Sequence, residues 1–119
     1  MAVSDSKFAG VLEAALAAGA AAGAAIVPNP MVVTSGSTGE KWFVADGVCG
    51  FGWVSFPGNT AFGRWAKKNG HARSHYPSGL SIWSKLMTQS MARNEAWAYA
   101  VAEVLRENGI AASAGSRID

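Results

Sequence analysis

Three kinds of side chain in this sequence have chemistry to offer: the thiol of Cys49, the imidazoles of His71 and His75, and the alternating rings of Phe51 and Trp53. A thiol becomes a nucleophile only with a histidine base in reach and an electropositive setting. Beside Gly50, Cys49 reads instead as a small buried hydrophobe. Histidines four apart share a metal when they lie on a helix, but residues 72–76 read as a strand, which puts His71 and His75 about 13 Å apart. Both are read as surface residues. Gly-Ser-Thr-Gly-Glu-Lys at 36–41 lacks the spacing of a phosphate-binding loop and has no Ser or Thr after the lysine. No catalytic residue, metal site or cofactor is therefore assigned, and the chain is not expected to be an enzyme.

Phe51 and Trp53, two residues apart, project to one face of a strand. Unpaired bases stack on such rings at about 1–3 kcal/mol each. The string Cys49–Phe56 (Cys-Gly-Phe-Gly-Trp-Val-Ser-Phe) resembles the RNP octamer of RNA-recognition motifs. Seven of its eight positions fit if tryptophan stands for the central aromatic. The leading Lys or Arg is Cys49 here, and the upstream partner hexamer would fall in an Ala-rich helix. The octamer belongs on the third strand of that fold, whereas this segment reads as the first. An aromatic strand packing its rings into the core produces the same string, and that is the simpler expectation. In the nucleic-acid reading the site comprises Phe51, Trp53, Lys67, Lys68 and Arg73.

The elements that must position these residues change character at Glu40–Lys41. Residues 14–39 carry no charged side chain, and all five tryptophans lie beyond them. Large rings and branched aliphatics fill cores, so the sequence divides into an appendage, 1–40, and a compact domain, 41–119. The spacing of Phe8, Val11, Leu12, Ala15, Leu16, Gly19, Ala22 and Ile26 predicts a helix over 5–25, ended by Pro28-Asn29-Pro30. Residues 31–34 can form a short strand, and Ser35–Gly39 has linker composition.

Downstream, strands are expected at 48–56, 72–76, 80–85 and 110–114, with helices at 60–69 and 91–108. Both helices stop at Asn-Gly, and Ser90 caps the second. Trp97, Val101, Val104 and Leu105 form its core face. Lys41–Ala45 is expected as an edge strand or as a hairpin with 50–56 through Asp46-Gly47. Strand–helix–strand–turn–strand–helix–strand is the order of an α+β ferredoxin-like sandwich: a four-stranded antiparallel sheet backed by two helices, here with an N-terminal Ala-rich helical arm.

Charge adds a partner class. Net charge is +2, but residues 41–119 hold nine Lys/Arg against five Asp/Glu. No acidic residue falls between Asp46 and Glu95, while Arg64, Lys67, Lys68, Arg73, Lys85 and Arg93 do. Such a run suits an anionic partner and equally a plain solvated face. A single cysteine suits a reducing compartment. Asp5 beside Lys7 is unlike a secretory leader. The Ala/Gly composition of 10–27 gives little transfer energy, so no membrane partner is expected.

Asp-Gly-Val-Cys-Gly-Phe-Gly-Trp-Val (46–54), Gly-Leu-Ser-Ile-Trp (79–83), Gln-Ser (89–90) and Gly-Ser-Arg-Ile-Asp (115–119) together resemble a family of small, functionally uncharacterised proteins encoded by tailed bacteriophages. The resemblance covers residues 42–119. It implies a viral setting, in which small domains with extended arms serve as capsid or tail accessory proteins. The leading expectation is thus a virion structural or accessory protein, assembled in the host cytoplasm. Its partners are other virion proteins or copies of itself, with nucleic acid as a further partner through the basic region 64–93. The arm would pair helices across subunits or add a strand to a neighbour's sheet. The alternative is a small domain binding single-stranded nucleic acid.

Overall fold

The computed structural model describes residues 3–26, 31–34, 41–44 and 48–119. The Ala-rich segment forms helix α1 (Val3–Ala25), followed by strands β1 (Met31–Thr34), β2 (Lys41–Val44) and β3 (Gly50–Phe56). Helix α2 (Ala61–Lys68), strands β4 (Arg73–Ser74) and β5 (Leu80–Trp83), helix α3 (Met91–Glu107) and strand β6 (Ser113–Ile118) complete the order. Among the described residues the architecture is α+β: three helices and a four-stranded open sheet, β4-β5-β3-β6, antiparallel at every pairing.

Local chemistry sets the helix ends. The Thr60 hydroxyl accepts from Gly63 N (3.0 Å) at the start of α2, and the Ser90 hydroxyl accepts from Arg93 N (3.3 Å) at the start of α3. Both helices end as the Asn-Gly signal predicts, with Gly70 at φ 75° and Gly109 at φ 78°. Trp97, Val101 and Leu105 of α3 are fully buried, with Val104 packed against the same core. Val54 and Phe56 of β3 and Leu80 and Ile82 of β5 belong to the same buried cluster. Phe62 of α2 meets Phe56 edge-on, 5.0 Å between ring centroids.

Three expectations change. The helix read as an outward arm instead lies along α3 and joins the core: Leu12 and Ala15 are buried, and Phe8 sets its ring edge-on to Phe62 at 5.5 Å. Its flat stripe makes this possible. A Cβ at Gly19 would stand 2.7 Å from the Trp97 ring and from Val101, and one at Gly23 would meet Leu86. Small residues bury little area each, but they let a neighbour's large side chains sit against the helix backbone. The core is therefore not confined to residues 41–119. Residues 35–40, expected as a linker, lie outside the described residues.

Lys41–Val44 does not extend the main sheet. It pairs with β1 in a separate two-stranded sheet, running from Met31 opposite Val44 to Thr34 opposite Lys41. Both edges of β3 are already taken, by β5 and β6, which leaves the hairpin with 50–56 no place to form. Asp46-Gly47 lies outside the described residues. The last strand begins at Ser113 instead of Ile110. Ile110 and Ala112 are buried on the way to the sheet, and the Arg106 guanidinium donates to Ala112 O (2.9 Å). Pairing then runs from Ser113 opposite Ser55 to Ile118 opposite Gly50. Ser-Ala-Gly-Ser-Arg-Ile has weak strand propensity, and the ladder with β3 overrides it.

Candidate nucleic-acid interface

Strand β3 has two unlike faces. Gly50, Gly52, Val54 and Phe56 are buried under the helices, while Phe51, Trp53 and Ser55 point the other way. The glycines explain how closely the helix layer sits. A Cβ at Gly52 would collide with the backbone of Asn94 in α3, and one at Gly50 would stand 2.8 Å from the Met91 side chain. The Asn94 amide, itself buried, donates to Gly50 O (3.0 Å) and Thr88 O (3.2 Å) and accepts from the Ser84 hydroxyl (2.7 Å). One side chain thus joins α3, the first residue of β3 and the turn that follows β5.

On the opposite face the rings are not in the core. Phe51 is 36% exposed, Trp83 is 40% exposed and Trp53 is half-buried. Trp83 stands directly across from Trp53 in the β3–β5 register, centroids 5.0 Å apart, and Phe51 meets Trp83 edge-on at 5.6 Å. His75 continues the row, 5.9 Å from Trp53. The order across the face is Phe51, Trp83, Trp53, His75. The Arg117 guanidinium lies 5.5 Å from the centre of the Phe51 ring, a cation–π distance. Gly115, opposite Trp53 on β6, makes room for the indole: a Cβ there would stand 2.6 Å from two of its ring atoms.

Beside Trp83 the sheet edge opens into a groove of about 350 Å³, lined by Arg73, Lys85, His71, Ser81 and Trp83 among others. Strands β3 to β6 contain Arg73 and Arg117 and no Asp or Glu. Aromatic and cationic groups thus share one side of the molecule.

The residues singled out in the sequence separate here. Phe51, Trp53 and Arg73 come together: Arg73 pairs with Ser81, which pairs with Ser55, so all belong to the same face as the rings. Lys67 and Lys68 do not join them. They belong to α2, which packs on the other face through Phe62, and Lys67 lines a separate depression of about 770 Å³ with Ser74, Ser78 and Ser113. The histidines part as well, His71 stacking on Trp65 at 4.9 Å while His75 meets Trp53. The Cys49 thiol lies 3.9 Å from Gln89 Oε1. Among the described residues no three His, Cys, Asp or Glu side chains gather as a metal site would require.

Trp83 and Arg117 are the members that residue patterns missed, and Lys85 was placed only in the basic run and not with the rings. Trp83 carried a usable signal, since Leu80, Ile82 and Trp83 in one short strand require one of them to face outward. Arg117 had none, because the expected last strand ends at 114. The chain matches no known protein family, no curated protein and no solved structure.

Proposed function

We propose that the protein is a small binding domain, not an enzyme, that holds single-stranded nucleic acid on the open face of its sheet. The observation that carries this reading is the contiguous row Phe51–Trp83–Trp53, accessible on strands that bear cations and no carboxylate. Every base has a π-face, so stacking supplies affinity without sequence readout, at about 1–3 kcal/mol per base. The strand order β6-β3-β5-β4, with α2 and α3 as its two crossover helices, supports the finer description of the fold as a ferredoxin-like sandwich. RNA-recognition motifs use the aromatics of a four-stranded sheet to stack two or three bases. Here β3 and β5 are central, and both carry rings.

The test is tryptophan fluorescence during titration with a short oligothymidylate. Quenching that weakens steeply with salt is expected. Trp83→Ala is expected to lower affinity by about 10- to 100-fold, the equivalent of one stacked base. If the oligonucleotide leaves the emission unchanged, or if Trp83→Ala binds as well as the parent, the reading is wrong.

A second reading, a virion accessory protein of a tailed bacteriophage assembled in the host cytoplasm, is favoured by the sequence resemblance over 42–119 and by the β1–β2 pair. Among the described residues this two-stranded sheet pairs with no further strand, and a pair of strands has little stability of its own, which suits strand addition to or from a neighbour. Light scattering on the full chain decides it: a defined oligomer is expected, and a monomer that joins no particle removes it.

A further inference from the structure

The groove beside Trp83 has the composition of an anion site, and its floor supplies an observation independent of surface charge. Ser81 is only 2% exposed and lines the groove, and its hydroxyl makes no hydrogen bond among the described residues; Arg93 Nε is the one side-chain polar atom there that is both shut from solvent and unpartnered, so what remains open of Ser81 is its hydroxyl. A hydroxyl that is the last open part of an otherwise buried residue can donate to whatever fills the groove it lines. Above it stand Arg73 and Lys85, neither of which makes a side-chain hydrogen bond or ion pair among the described residues. His71 lines the same groove, and no acidic residue does. The volume lies at the small end of the range of about 300–1,000 Å³ that ligand pockets occupy.

We propose that this groove is a phosphate pocket, taking the phosphate of the nucleotide unit whose base lies on Trp83. The assignment rests on the stacking reading above and specifies its polar half. Ser81 would donate its free hydroxyl to one phosphate oxygen. Arg73 presents a planar fork that matches two oxygens, and Lys85 supplies a point charge. Trp83 is the hinge of the arrangement, since it is both a wall of the groove and the middle of the ring row. A phosphate in the groove and a base on Trp83 would then belong to neighbouring parts of one nucleotide. The larger depression at the other end of the sheet has a single cation, Lys67, and none of the row's rings, so it offers no such pairing.

The shared chemistry is a nucleotide phosphate, whether in a strand or free. The experiment uses the full chain with two probes, oligothymidylate and thymidine monophosphate, each read by tryptophan quenching over a range of salt concentrations. Binding of the strand alone assigns the pocket to a phosphodiester; binding of the monophosphate as well assigns it to a free nucleotide too. Arg73→Ala/Lys85→Ala is expected to weaken the strand about tenfold or more. It should also flatten the logarithmic salt slope by about 0.7 for each phosphate that is no longer neutralised. Ser81→Ala should weaken binding several-fold, while Arg73→Lys/Lys85→Arg, which keeps both charges, should retain the salt slope. Unchanged thermal melting of these variants shows that the effect is at the site.

If the neutral double variant and Ser81→Ala both bind with the parent's affinity and slope, the phosphate pocket is wrong and the stacking face stands. If the parent chain is quenched by neither probe, both fall together.

Discussion

Trp53 lies over a residue with no side chain, so in the proposed stacking face Gly115 decides whether the indole can keep its place in the row. A valine there would drive its Cβ into the indole at 2.6 Å, and the ring would have to leave the row. Gly115→Val is therefore expected to change the near-ultraviolet circular dichroism of the tryptophans and to weaken oligothymidylate binding about tenfold, the equivalent of one stacked base. The melting temperature should move little, because the collision is on the open face and not in the core. A variant that binds normally would show that Trp53 is not used. Arg117 acts at the same scale: its guanidinium sits against the Phe51 ring, so it both steadies that ring and places a cation beside any base resting there.

Among the described residues, Asn94 makes the polar interactions that tie the most separate elements together. It is buried and makes three hydrogen bonds, to Gly50, Thr88 and Ser84. Truncation would leave two carbonyls and a hydroxyl without their partner. Asn94→Ala is expected to cost about 2–3 kcal/mol in urea unfolding, since each buried group left unsatisfied costs about 1–3 kcal/mol and some regain water. Binding by the folded fraction should weaken as well, because Asn94 orients the turn that follows Trp83. Gly52 reinforces the same junction by steric means. A side chain there would push α3 off β3, so the two glycines at 50 and 52 serve the packing of a helix and not the approach of a ligand.

At the scale of the molecule, the sheet divides labour: helices α1, α2 and α3 belong to one side, the ring row and the groove of Arg73 and Lys85 to the other. The position of α1 matters most, because a docked helix and a free arm predict different things. Gly19→Leu would separate α1 from Trp97 and Val101, and is expected to lower stability by about 1–3 kcal/mol, the usual cost of overpacking. Oligothymidylate affinity should be unchanged, since the substitution lies on the helix side. A Gly19→Leu protein with the parent's urea midpoint would mean that α1 is not part of the core in solution, and the assembly-arm reading would gain.

Much of this was legible from residue order because periodicity is local. The alternation of 50–56 states that Phe51 and Trp53 share a face. The spacing of Trp97, Val101 and Leu105 states which side of α3 is apolar, and Ser90, Asn69-Gly70 and Asn108-Gly109 mark helix ends through hydrogen bonds that span a few residues. Which side of β3 meets solvent is not a local property. It depends on α3 covering one face, and on Gly52 allowing it to. Nor does any local pattern bring Trp83 across from Trp53, set Arg117 against Phe51, close a groove between Arg73 and Lys85, or lay an Ala/Gly helix on Trp97. Those neighbours are joined by strand register and helix docking between distant segments, where long-range burial and pairing outweigh the intrinsic preferences of each segment. Residue order sets the elements, their ends and their apolar faces, and the assembled fold sets which rings and cations share a surface.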